Sequence, residues 1–413
     1  MARDEDRPGA ATPEGRSVRP AGSDRPEQNK AATGTELFND LLQHVPESAP
    51  DRNPASPLVL FGAGNLGREV LARLRRAGVE PVAFADDTAS KKGSVIDGLL
   101  AMSPEEAVDR FGRNVCFAVT ILNPTLGFAE ARRQLAARTG CEILSFFALA
   151  RMYPDQLLPY LQYARPANIL ENAPQIRRLF GALADDESRG QFLAHLQFRL
   201  TADYERLPAR SEPAYFPPDL IGTFPRAITF VDCGAFDGDT IRNFLAHQGG
   251  DFAMILAFEP DIRNHAKLNA FVRSLPSDVS SRIRVYRGAV GADRGSVAFN
   301  QTGDMSAAIS PTAEQKTDMF RLDDLVPESA APVYLKLDVE GFEMQALQGA
   351  AALLSVGRAV LAVSIYHRPE DLWEIPLHLH DLDVGYRLYL RTEGLDGMDL
   401  VCYALPGKPI TAA

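Results

Sequence analysis

Two stretches place carboxylates where an open α/β sheet would present them to a ligand. In ITFVDCGAFDGDT, Ile228 to Thr240, a buried-strand pattern over Ile228 to Val231 runs into Asp232, Gly234, Asp237 and Asp239 before a helix begins. A strand, a glycine turn and a helix in that order open a crevice for a nucleotide-like ligand. Glu259, at the end of the next apolar strand, stands 25 residues after Gly234, where an acid can accept hydrogen bonds from both hydroxyls of a ribose. In VYLKLDVEGFEMQALQGA, Val333 to Ala350, alternating Val333, Leu335 and Leu337 lead to Asp338 and Glu340, and a helix from Glu343 closes at Gly349. Glu343 falls one helical turn beyond Glu340, so three carboxylates crowd one turn. Such a cluster could take a divalent metal through Asp338 and Glu340, or hold a base such as Lys336. His367, in IYHRPEDLW, follows a strand and precedes an exposed-looking acidic turn, where a neutral imidazole can accept a proton near pH 7.

The segments DCGAFDGDT, AFEPD at Ala257 to Asp261, KLDVEGFEMQALQGA and VSIYHRPEDLWEIP at Val363 to Pro376 together resemble the FkbM family of S-adenosylmethionine-dependent methyltransferases, over Tyr215 to Pro406. The resemblance implies a class I methyltransferase fold with a mostly parallel seven-stranded sheet and S-adenosylmethionine as the cofactor. It implies donor contacts from Asp232, Gly234, Phe236 and Glu259, with Asp237 beside them and Ala289 and Val290 against the adenine. The expected reaction is O-methylation of a hydroxyl on a sugar, a polysaccharide or a glycosylated metabolite. His367 is then the candidate base, with Asp338 competing for the role, and Asp304, Met305 and Ser306 form a polar loop able to meet the acceptor.

The elements that must position these residues form two Rossmann-like units. LVLFGAGNLGREVLARLRRAGVEPVAFADD, from Leu58, reads as strand, glycine turn, helix and strand. Gly62, Gly64, Gly67 and Asp86 in it satisfy the spacing of a dinucleotide fingerprint. This segment resembles the N-terminal domain of some sugar O-acyltransferases, which implies a sugar nucleotide as an alternative to NAD(P). The expected organisation is a disordered tail over 1–34, a short helix and linker over 35–57, a Rossmann-like domain over 58–150, a helical connector over 151–218 and a methyltransferase domain over 219–413.

Bulk composition narrows the partners. With 413 residues, a net charge of −11 and basic residues dispersed among acids, the chain is not a general nucleic-acid binder, and a small-molecule or glycan acceptor suits it better. No stretch approaches the roughly 20 apolar residues that span a bilayer, and the N-terminus lacks an apolar signal core, so the expectation is a cytoplasmic protein without membrane insertion. Cys116, Cys141, Cys233 and Cys402 are too scattered for a disulfide framework or a CxxC metal site. Two other functions remain open from sequence: an NAD(P)-dependent oxidoreductase using the GAGNLG unit, and a non-catalytic protein that only binds the donor.

Overall fold

The computed structural model describes residues 34–43, 56–122, 125–222, 227–300, 313, 315–326 and 332–407. The expected N-terminal tail, most of the linker and the loop carrying Asp304, Met305 and Ser306 lie outside the described residues. What is described is a mixed α/β protein built on two Rossmann-like sheets and a small third one.

The first sheet has the order β3-β4-β2-β1-β5-β6, formed by β1 (Leu58–Phe61), β2 (Ala83–Ala85), β3 (Val95–Ile96), β4 (Leu99–Met102), β5 (Cys116–Val119) and β6 (Glu142–Ser145). Its pairings are parallel except between β3 and β4. Uninterrupted burial of β2 and β5 matches the unbroken apolar runs that a sheet covered on both faces requires. The helix Asn65–Arg76 lies so close to the end of β1 that a Cβ on Gly67 would fall 1.9 Å from the carbonyl oxygen of Gly62. Only glycine permits that approach.

The second sheet comprises β7 (Ile228–Cys233), β8 (Phe252–Phe258), β9 (Ile283–Tyr286), β13 (Val333–Leu337), β14 (Val360–Ser364), β15 (Tyr386–Thr392) and β16 (Leu400–Pro406), in the order β15-β16-β14-β13-β7-β8-β9. Strand β16 runs antiparallel to both of its neighbours, and the other pairings are parallel. From β7 the chain builds outward through β8 and β9, then returns to lay β13 on the other side of β7, so the strand order reverses between β7 and β13. A crevice opens beyond the carboxyl ends of the strands at such a reversal. The small sheet has the order β10-β12-β11, from β10 (Gly288–Val290), β11 (Gly295–Ala298) and β12 (Lys316–Phe320).

Helical periodicity places helices between the two sheets, but it does not say which core they serve. The helix Asp186–Thr201 serves both. Its Phe192, Leu196 and Leu200 pack with Leu179, Phe180, Trp373 and Leu388 under the second sheet, whereas its Phe198 packs with Phe147 and Tyr163 under the first. Arg391 on β15 reaches Asp185 at 2.9 Å and also Ser188, tying the helix start to the second sheet. The turn between β15 and β16 reaches the first unit: Asp396 accepts the Phe128 N–H, which opens the helix Phe128–Thr139, and Gly397 accepts from Gln162 at 3.0 Å. Among the described residues, no helix is long and apolar enough to cross a membrane.

Candidate active site

Beyond the ends of β7, β8 and β13 lies a cavity of about 240 Å³ lined on one side by Gly234, Phe236, Asp239 and Glu259 and on the other by Tyr215, Asp338, Glu340, Tyr366, Glu393 and Asp399. Gly234 makes the first side possible. Its φ is +80°, and a Cβ there would sit 1.9 Å from the carbonyl oxygen of Asp338, so β7 and β13 can leave the sheet this close together only with glycine at the turn. The turn presents its backbone to Glu259, whose Oε2 accepts the Phe236 N–H at 2.9 Å while Oε1 accepts the Asp261 N–H at 2.8 Å. Each oxygen keeps a second lone pair for a ligand hydroxyl. Burial pushes the Glu259 carboxyl up to about 7 against those two hydrogen bonds.

Under this turn lies an ion pair. Asp232 is fully buried, and among the described residues its partner is the Lys336 ammonium, 3.2 Å from Oδ1. Lys336 also donates to the Gly234 carbonyl at 2.7 Å, so this charge pair fastens β13 to the glycine turn. Asp232 therefore supports the wall and is not part of it. Asp237 is outside as well, turned to Arg242 at 2.9 Å, and Ala289 lies in the small sheet opposite Met319. The acid that does line the cavity at the helix start is Asp239.

The opposite wall centres on Asp338. Its Oδ2 accepts from the Tyr215 hydroxyl at 3.0 Å and its Oδ1 from the Tyr366 hydroxyl at 3.4 Å. Burial opposes ionisation, but Lys336, His367 and Tyr215 hold the carboxyl below its usual range, so Asp338 is a carboxylate at neutral pH. Its neighbours behave differently: burial raises Glu340 and Glu393 to about 8, so each is largely protonated at pH 7. Tyr366 stood inside VSIYHRPEDLWEIP without being singled out, and Tyr215, Glu393 and Asp399 carried no local signal in the sequence. Tyr215 comes from the segment before β7, and the last two come from either side of the β15–β16 turn.

His367 departs from expectation. The charged residues after it suggested an exposed, neutral imidazole, yet its side chain is only 3% exposed and lies 2.8 Å from Glu343, 3.4 Å from Asp338 and 3.6 Å from Glu340. Burial alone would depress its pKa, but the three carboxylates override burial and push it up to about 10. The carboxylates against the ring favour its charged form, which has no lone pair to offer, so this arrangement disfavours His367 as the base. Of the two sequence candidates, Asp338 keeps the capacity to accept a proton.

In the first unit a separate cavity of about 400 Å³ is bordered by Phe61, Asp86, Thr88, Ile121 and Arg138. Gly62 turns at φ +114°, and Gly64 caps the helix facing open space. The Asp86 carboxylate, however, already receives the Ala63 N–H at 2.8 Å, the Thr88 N–H at 2.9 Å and the Lys91 ammonium at 2.9 Å. Burial opposes its ionisation, but these donors hold it down at about 2, and they leave little capacity for a ribose diol.

Comparison with known proteins bears on the second unit. Residues 232–388 match the family model described as the methyltransferase FkbM domain. The second unit is an FkbM methyltransferase domain. The crystal structure of methyltransferase FkbM from Methylobacillus flagellatus KT superposes with a TM-score of 0.70 at 25% identity, covering 86% of this chain and 91% of that one. Likeness over that share extends past the FkbM domain into the first unit. The UDP-N-acetylmuramoylalanine--D-glutamate ligases of Mycobacterium avium and Mycolicibacterium paratuberculosis are 38% identical over 77 residues, 19% of this chain. The chain spans only 15% of the length of these curated relatives.

Proposed function

We propose that this protein transfers a methyl group from S-adenosylmethionine to a hydroxyl of a sugar, a polysaccharide or a glycosylated metabolite. The observation that carries this reading is a single cavity with Glu259 and the Gly234–Phe236 turn on one wall and the ionised Asp338, flanked by Tyr215 and Tyr366, on the other. The donor supplies an electrophilic methyl on a sulfonium: as the acceptor oxygen bonds to that carbon, the carbon–sulfur bond breaks and leaves a neutral thioether. Glu259 is placed to accept from both ribose hydroxyls, and the carboxylates around the cavity favour a cationic donor. Asp338 takes the hydroxyl proton as the oxygen attacks, while Tyr215 and Tyr366 hold its carboxylate in place. The ionised Asp338 repels an anionic group next to the reacting oxygen, which favours a neutral polyol.

The pH dependence of donor binding tests the ribose assignment. A carboxylate accepts hydroxyl hydrogen bonds better than the acid, and burial raises Glu259 to about 7, so affinity should fall as pH drops below that value. Calorimetric titration with S-adenosylhomocysteine is expected to show affinity rising by up to about tenfold per pH unit below neutrality and levelling above it. Glu259→Gln should weaken binding by about tenfold or more at pH 8 and flatten the profile. Unchanged affinity in that variant removes Glu259 from the donor site. Binding of NAD or NADP alone in parallel titrations would shift the function to the first unit.

A further inference from the structure

The DVEG turn and His367 assemble a donor set that methyl transfer by itself does not use. Asp338, Glu343 and His367 each bring one ligand atom within 4.8 Å of the other two. Glu343 is fully buried; its Oε1 accepts the Val339 N–H at 2.8 Å and the Gly341 N–H at 3.4 Å, while Oε2 meets no donor among the described residues. The His367 ring nitrogens face Glu343 at 2.8 Å and Asp338 at 3.4 Å, but neither contact is aligned as a hydrogen bond. Buried polar atoms in folded proteins nearly always find a partner, so three such atoms left unsatisfied in one cluster call for an explanation.

We propose that Asp338, Glu343 and His367 form a binding site for a divalent transition-metal cation. One imidazole with two carboxylates is a nitrogen–oxygen donor set suited to Mn²⁺ or Zn²⁺, whereas a magnesium or calcium site would draw on oxygen ligands alone. Bond lengths of about 2.0–2.2 Å bring ligand atoms to roughly 3–4 Å from one another, against the 4.8 Å within which they lie here. The carboxylates of Asp338 and Glu343, which meet at His367, are what a divalent cation offsets. The site is closed on one side and open on the other: Glu343 and His367 are buried, and Asp338 is 24% exposed where it lines the cavity. A cation held there has its free coordination positions toward the cavity, where an acceptor hydroxyl would bind and become more acidic. That last role rests on the methyltransferase reading; the site itself does not.

The competing account is a permanent imidazolium that neutralises the turn and takes no metal, and titration with metal alone separates the two. The full-length protein, stripped with EDTA and free of donor and acceptor, is titrated with MnCl₂ and with ZnCl₂ by calorimetry, and bound Mn²⁺ is counted by the loss of its free electron paramagnetic resonance signal. The expected result is one cation per chain with Kd of about 10 µM or tighter, weakened by about tenfold or more in Glu343→Gln and in His367→Gln. Asp237→Asn, outside the cluster, should leave it unchanged. No binding to the wild-type chain up to about 1 mM overturns the site, a result that requires no variant to fold. Binding unaffected by either cluster substitution overturns it too. Metal binding without S-adenosylhomocysteine binding would keep this site and sink the methyltransferase reading.

Discussion

Replacing Lys336 with methionine should lower the free energy of unfolding by about 3–5 kcal/mol, the usual cost of removing one partner from a buried ion pair. The lysine lies over the Tyr215 ring at 5.1 Å, and its ammonium is the counter-charge of the buried Asp232 carboxylate, 3.2 Å away. Asp232 then has to ionise alone in the core or bind a proton. Burial already raises its pKa to about 6 with Lys336 opposing the shift, so loss of the lysine raises it further. The sign follows: an acid whose folded pKa lies above its unfolded value stabilises the fold while protonated and loses that contribution as pH rises. The variant's deficit should therefore be small near pH 4 and grow toward neutrality. Neutralising both partners, as in D232N/K336M, should recover much of the loss. Denaturant unfolding of the wild type, the single and the double variant at pH 5 and pH 8 checks this. A single-variant deficit below about 1 kcal/mol at pH 8 would mean that the pair does not fasten the glycine turn.

The sheets were legible because parallel strands buried on both faces are written mainly in apolar residues, as in Ile228 to Val231 and Val333 to Leu337, which Thr229 and Lys336 alone interrupt. The glycine turn was legible for a related reason: Gly234 sits where two backbones touch, and no other residue fits. Contacts that depend on remote segments were not. Tyr215 bonds to Asp338 across 123 residues, and Asp399 enters the cavity from a hairpin whose other contacts hold the first unit. Nothing in the local sequence of either announces that meeting. The charge of His367 belongs to the same class. RPED after it looked like solvent-facing surface, but Asp371 turns back to accept the Arg368 N–H at 2.9 Å, and both His367 and Asp371 are buried. Asp232 and Asp237 bracket Gly234 in sequence, yet one supports the wall and the other faces Arg242. Order along the chain does not separate a wall residue from the one behind it.

Asp338→Asn should reduce turnover by about 10²–10⁴ while leaving S-adenosylhomocysteine affinity within about threefold of wild type. Asparagine keeps an oxygen for the Tyr215 hydroxyl and nearly the same volume, so the wall persists; what is lost is the charge that receives the acceptor's proton and that would bind the proposed cation. The contrast with Glu259→Gln is diagnostic, because that change should act on donor affinity first. Rate measurements with saturating donor and a panel of neutral glycosides, beside calorimetry on the same preparations, separate the two effects. Full turnover in the Asp338 variant would require another proton acceptor within the cavity. Glu340 and Glu393 also line the cavity, but burial raises both to about 8, so each begins the reaction largely protonated at neutral pH. His367, pushed up to about 10, is more fully protonated still. If either glutamate took over, the rate of the variant should climb steeply between pH 7 and pH 9, as those acids ionise, whereas wild-type turnover through the already ionised Asp338 should change little across the same interval.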